Sequence, residues 1–280
     1  MYTLSSNSFS LSTLKNIIYE ELKIKLSEEV KQKIVSCRNY LDEKIATSVD
    51  PIYGINTGFG SLYDVRIDSE NLTKLQANLV RSHACGTGEF VPESIVKLML
   101  LLKIRSLSYG HSGVHLETVE RLMAFYNNDI LPVIYTQGSL GASGDLAPLA
   151  HLALPLLGEG LVWYEGKKLP TSEVLDKFGW HSITLQSKEG LALLNGTQFM
   201  TAYGIHCLLK SYKLSYMADL IGSLSLDAFD GRLEPFDPLV HLVRPHNGQI
   251  KTAERLRSFL EGSELMLQPK KHVQDPYSFR

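Results

Sequence analysis

Residues 138–158 read GSLGASGDLAPLAHLALPLLG, and the change of character within that stretch decides how the chain is organised. Up to Gly144 the residues are mostly small, with glycine at 138, 141 and 144, the composition of a tight loop. From Asp145 the run turns to Leu, Ala, Pro and His at helical spacing. Asp145 itself stands where a carboxylate favours a helix start. A helix is therefore expected over 145–157, entered through a glycine-rich loop. Taken alone, Ala142-Ser143-Gly144 says little, because average residue usage produces that tripeptide by chance in roughly one of ten chains this long. The plain reading is a flexible turn ahead of a capped helix.

Working outward, apolar residues at helical period dominate. Ser27 is placed to cap a helix through Val30, Ile34, Cys37 and Leu41, with Glu28 and Glu29 in its first turn. Further helices are expected near 69–82, 93–109, 115–128 and 248–261. The segment 190–229 lacks proline and is apolar enough for one long, mostly buried helix. Gly196, Gly204 and Gly222 would each cost such a helix roughly 1 kcal/mol. Our reading is that they let neighbouring helices pack closely. One strand-like element stands out: Leu161–Tyr164, the pair Glu165-Gly166 and Lys167–Leu169 form a short hairpin. A second glycine-rich loop occupies 54–60. The expected architecture is all-α, a long-helix bundle with small irregular patches that carry function.

Composition narrows the class of function. The chain has 280 residues, 44% hydrophobic and 21% charged, with formal net charge −2 and no basic block, so nothing points to nucleic acid or a membrane surface. The most apolar stretch, Ile95–Leu107, is short and interrupted by Lys97, Lys103 and Arg105, which argues against a membrane span. Cys37, Cys85 and Cys207 are odd in number and widely spaced. No CxxC pair or Cys/His cluster suggests a disulfide framework or a structural metal. The N-terminal residues lack the pattern of a signal peptide, and a reducing cytoplasm is the expected location.

Four further segments carry chemistry-bearing residues. YGINTGFG at 53–60 places Tyr53 at the mouth of a tight loop, where a tyrosine packed beside a turn is the plain reading. RSHACGTG at 81–88 holds His83, which alone would be called structural. EGLALLNGTQ at 189–198 sets Asn195 in an apolar helical context, where an amide needs a partner such as a neighbouring helix. The tail HVQDPYSFR at 272–280 would otherwise pass for a disordered polar end.

Read together, GSLGASGDLAPLAHLAL and these segments resemble the aromatic amino acid lyase family, which includes the histidine, phenylalanine and tyrosine ammonia-lyases and related aminomutases. The resemblance runs over essentially all of the chain. It implies a helical bundle of the ammonia-lyase/fumarase-like type, and that Ala142, Ser143 and Gly144 cyclise to 4-methylidene-imidazol-5-one (MIO). In that chemistry the Gly144 amide nitrogen attacks the Ala142 carbonyl carbon and expels water. Glycine removes the Cβ that would obstruct the contact. Ser143 then loses its hydroxyl as a second water, leaving a conjugated exocyclic methylene. A hydrolytic serine is the rival reading, but Ala142-Ser143-Gly144 directly after Gly141 is not G-x-S-x-G.

The resemblance also assigns roles. Tyr53 corresponds to the tyrosine that removes the substrate β-proton, a role that needs a site stabilising phenolate. His83 matches the position contacting the substrate side chain, and imidazole there suits an imidazole substrate. Asn195 matches the asparagine near the cofactor oxygen and substrate, and Gln198 after NGT looks like the histidine-acting branch. Arg280 matches the arginine that grips the carboxylate through a bidentate fork, with Gln274 and Tyr277 accompanying it. Elimination of ammonia from L-histidine to give trans-urocanate is the implied reaction. The alternatives are tyrosine ammonia-lyase or MIO-dependent aminomutase activity, or a catalytically incomplete fragment. Family members are homotetramers and continue well past 280 residues. The chain is thus expected to be an N-terminal portion, with 1–190 the cofactor-loop region and 190–280 the start of the central bundle.

Overall fold

The computed structural model describes residues 1–47, 50–58, 65, 67 and 69–280. Its elements, in chain order, begin with β1 (Tyr2–Leu4), α1 (Leu11–Tyr19), β2 (Ile24–Leu26), α2 (Glu28–Thr47), α3 (Ser69–His83) and β3 (Thr87–Phe90). Next come α4 (Glu93–Leu107), α5 (Leu116–Asn127), β4 (Leu131–Pro132), β5 (Tyr135–Gln137) and α6 (Leu146–Ala153), which tightens into a 3-10 turn over Leu154–Leu157. The chain continues through β6 (Leu161–Tyr164), β7 (Lys167–Pro170), α7 (Thr171–Phe178), α8 (Glu189–Leu194), α9 (Gln198–Ala228), α10 (Pro238–Leu242) and α11 (Asn247–Phe259). The fold is mainly helical, as the sequence pattern predicts. The hairpin is β6–β7, turning at Glu165-Gly166 and joined by β4 into a three-stranded sheet. Two small pairs, parallel β1–β2 and antiparallel β3–β5, carried too few residues to be predicted.

Two compact units divide within α9, Met1–His206 and Cys207–Arg280. In the first, α4 is the central helix. Val96, Met99, Leu100, Leu101 and Ile104 are fully buried, and so many sides are covered because the helix is apolar almost all round. α5 packs on it, while α3, α6 and α8 pack on one another. α2 starts where expected, with Ser27 Oγ accepting from the Val30 amide at 3.3 Å, and buries Val30, Ile34 and Leu41. Its buried Arg38 pairs with Asp42 and donates to the carbonyls of Gly113 (2.9 Å) and Ser187 (2.8 Å). That guanidinium fastens the helix to the segments preceding α5 and α8.

The expected helix over 190–229 is corrected in two respects. It is broken at Asn195–Thr197 between α8 and α9, where Gly196 adopts φ +148°. Nor is it mostly buried: Leu208, Tyr212, Leu214, Ile221 and Leu224 of α9 are exposed. Gly204 and Gly222 have nothing within 4 Å of a virtual Cβ, so they do not serve close packing here.

In the second unit the remainder of α9 meets α11 through Arg255 and Asp219 (2.7 Å) and through Tyr216 edge-on to Phe259. The tail is ordered rather than loose. Asp275 is buried and accepts from the Arg232 amide at 2.6 Å, and Phe279 stacks on Phe229 at 4.6 Å.

Leu100→Ala removes a side chain with no exposed area from the central helix. We expect it to lower the unfolding free energy by about 2–5 kcal/mol. Chemical denaturation checks this, and a loss below about 1 kcal/mol would contradict the placement of α4 at the centre.

Candidate active site

Three helix ends converge because α3, α6 and α8 pack on one another. His83 is the last residue of α3, Asp145 is the N-cap of α6, and Asn195 is the C-cap of α8. The close approach of α3 and α8 depends on Gly190, where a Cβ would stand 2.8 Å from the Gln76 carbonyl oxygen. Gln76 Oε1 meanwhile accepts from the Gly190 amide at 2.9 Å. The start of α8 is fixed by buried Glu189, whose carboxylate accepts from Thr118 Oγ1 (2.6 Å), the His115 amide (2.9 Å) and the Gln186 amide (2.8 Å).

Between β5 and α6 the chain reverses sharply at Gly141–Gly144, and Gly144 pairs in turn with Gly196. Gly144 sits at φ +92°, and a Cβ there would collide with the Gly196 carbonyl oxygen. Only glycine permits this backbone-on-backbone contact. Asp145 locks it: its amide donates to the Gly196 carbonyl at 2.8 Å. The carboxylate does not cap its own helix, as the sequence suggests. Instead Oδ1 accepts from Ser139 Oγ (3.2 Å) and Oδ2 from the Met200 amide in the first turn of α9 (3.0 Å). Ala142 and Ser143 are exposed. With His83, Cys85, Leu140 and Gly144 they line an open cavity of about 220 Å³.

His83 presents its second nitrogen for use. Nδ1 lies 2.8 Å from the Leu79 carbonyl, which can only accept, so Nδ1 bears the proton and Nε2 is the acceptor of the neutral ring. Beyond His83 the loop is held by His151 of α6, whose Nε2 accepts from the Gly86 amide at 2.9 Å.

Asn195 is not inside a helix but at an exposed, extended corner, with Nδ2 donating back to the Leu191 carbonyl at 3.1 Å. Tyr53 is not packed away either; it is 57% exposed, on a turn anchored from beneath by buried Asn56 and Thr57. Asn56 Oδ1 accepts from the Ile52 amide (2.6 Å), its Nδ2 donates to the Asp50 carbonyl (3.1 Å), and Thr57 Oγ1 accepts from the Gly54 amide (3.2 Å). Gly58 is bonded to Val65, while Gly60 lies outside the described residues. Neither Tyr53 nor Asn195 is among the residues lining the cavity. Gln274, Tyr277 and Arg280 belong to the second unit. There they are exposed, with Arg280 over the Tyr277 ring at 4.5 Å and its Nε donating to the Asp275 carbonyl at 2.8 Å.

Sequence reading gave no role at this site to Lys103, Gly196 or His151. Lys103 is 1% exposed, and its Nζ donates to the carbonyls of Asn195 (3.1 Å) and Ala192 (3.3 Å). Burial pushes the ammonium down to about 7, with nearby Asp145 opposing the shift. The available signal was its phase, since Met99, Lys103 and Leu107 fall four apart on the buried side of α4. Among the described residues, no cluster of three or more His, Cys, Asp or Glu could hold a metal, and no helix is long and apolar enough to cross a membrane.

The Ala-Ser-Gly tripeptide has a glycine with no room for a side chain, is pressed on a second glycine, and is open to a cavity on its serine side. The chain belongs to the aromatic amino acid lyase family, whose model matches residues 9–280. It is 44% identical to the histidine ammonia-lyase of Geobacillus thermodenitrificans over all of this chain and 56% of that protein. Among solved structures it resembles histidine ammonia-lyase from Trypanosoma cruzi (TM-score 0.84, 37% identity, 92% of this chain and 49% of that one). It also resembles tyrosine aminomutase from Streptomyces globisporus (TM-score 0.90, 32% identity, 100% and 56%). The chain thus spans about half the length of the relatives it matches.

A pH dependence follows from His151. Burial lowers its pKa from the ordinary 6.5, so the folded chain favours the neutral ring that accepts from Gly86. The stability it contributes is present above about pH 6.5 and is lost as pH falls through the lower folded value. The melting temperature of the wild type should fall more steeply below pH 6.5 than that of His151→Gln; parallel curves would refute the link.

Proposed function

We propose that this chain forms the cofactor-bearing portion of an ammonia-lyase that converts L-histidine to trans-urocanate and ammonium. The observation that carries the proposal is the tight Ala142-Ser143-Gly144 turn beside His83 in one cavity. Ala142, Ser143 and Gly144 would themselves become MIO, which supplies an electron-poor methylene that no unmodified side chain offers.

The chain's own residues would bind and orient the substrate. His83 Nε2, held outward by the Nδ1 bond to Leu79, accepts from an imidazole N–H of the substrate. A phenyl ring offers no such donor, so this nitrogen favours histidine over phenylalanine. Tyr53, on its anchored turn, takes the β-proton. Asn195 contributes an amide at the corner next to Gly196, and Arg280 carries the planar fork suited to a carboxylate, with Gln274 and Tyr277 as its companions. Aligning the weakly acidic β-proton with the departing amine is the purpose of gripping the substrate at several points.

The relatives' names favour histidine as substrate, and the likeness to a tyrosine aminomutase keeps tyrosine as the second reading. The exposed apolar residues of α9 support burial against further copies, consistent with the homotetramer the family implies. Three free thiols agree with a cytoplasmic setting.

Intact mass tests the assignment. The purified chain should weigh two water molecules less than its sequence, and Ser143→Ala should fold yet show neither that deficit nor any turnover. Histidine should yield urocanate when histidine, tyrosine and phenylalanine are supplied separately. A full-mass wild type, or turnover by the Ser143→Ala variant, overturns the reading.

A further inference from the structure

We propose that Lys103 is a positioning residue for the tripeptide turn: from inside the central helix it tethers the Asn195–Gly196 corner on which that turn is pressed. This inference rests on the function proposed above. A lysine at a fully buried phase of a helix is costly, and an apolar side chain of similar length would be the ordinary occupant beside Met99, Leu100 and Leu107. What the lysine adds is a nitrogen at the end of α8. The carbonyls of Ala192 and Asn195 are among those a helix leaves without intrahelical partners at its C-terminus, and Nζ donates to both.

The tether reaches the tripeptide in two steps. Asn195 O is held at 3.1 Å by Lys103, and the next carbonyl, Gly196 O, accepts from the Asp145 amide at 2.8 Å. Gly196 at φ +148° is a conformation that only glycine adopts cheaply, so the corner has little stiffness of its own and depends on what grips it. Asp145 holds the opposite side, its carboxylate on Ser139 and on Met200 at the start of α9. Lys103 and Asp145 therefore clamp one corner between two helix ends. Without the lysine, Gly196 can withdraw from Gly144, and the turn loses the backbone it is packed against.

The test compares Lys103→Met, which keeps the length and removes the donors, with Lys103→Arg, which keeps the donors. Circular dichroism reports folding, amide hydrogen exchange at Asp145 reports the corner, and intact mass against time reports loss of the two waters. In folded K103M, exchange at Asp145 should rise and the rate of water loss should fall, each on the order of tenfold. K103R should restore both most of the way. Unchanged exchange and mass in folded K103M overturn the proposal, as does K103R behaving like K103M. If K103M does not fold, Lys103→Leu, which likewise has no donor, decides by the same readouts. Wild-type behaviour there, or failure of both neutral variants to fold, makes the lysine a stability element and sinks the positioning role. A wild type that retains full mass sinks the functional reading instead, while exchange at Asp145 still judges the tether.

Discussion

Two stretches of backbone, at Gly144 and Gly196, meet with no side chain between them, and the rest of the candidate site is arranged so that they can. Such contact leaves peptide groups facing one another in a partly buried place, where each must find a partner. The Asp145 amide and the Gly196 carbonyl satisfy each other, and the Asp145 carboxylate gathers Ser139 and the open first turn of α9. Lys103 does the corresponding work for the open carbonyls of α8. Helix ends, normally left to water or local caps, are here satisfied by residues brought from elsewhere in the chain.

Rigidity and access are divided between two sides of the turn. Asp145 and Lys103 lie on the buried side, each 1% exposed, whereas Ala142 and Ser143 look into the cavity. His83 follows the same division, with one ring nitrogen committed to the backbone of its own helix and the other uncommitted in the neutral tautomer. The turn and His83 are thus each held by groups that do not line the cavity, the usual requirement for a group kept in one orientation.

Much of the fold was legible because helical periodicity is a local signal. Helices near 69–82, 93–109 and 115–128 appear as α3, α4 and α5 within a few residues, and the hairpin falls where its Glu-Gly turn indicated. The break at 195–197 was less visible, since NGT reads both as a helix stop and as a tolerated glycine. Lys103 marks a different limit. A lysine at a buried helical phase can extend its stem toward water or stay inside, and only its distant acceptors decide which. Asp145 was recognised as a cap, yet the helix it caps was not its own. The Ala142-Ser143-Gly144 turn and His83 were singled out through the family resemblance, whereas the contact of the turn with Gly196 had no signal in the sequence.

The bonds that shape the site join residues far apart in sequence: 55 positions for Met200 and Asp145, 65 for Gly86 and His151, and 92 for Lys103 and Asn195. Loops of that size close slowly, and none of these bonds exists until α4, α6 and α8 have docked. The turn is therefore held by long-range contacts rather than by its own local sequence. Were its peptide bonds altered there, a chain unravelled afterwards would be a different covalent molecule from the one the ribosome released.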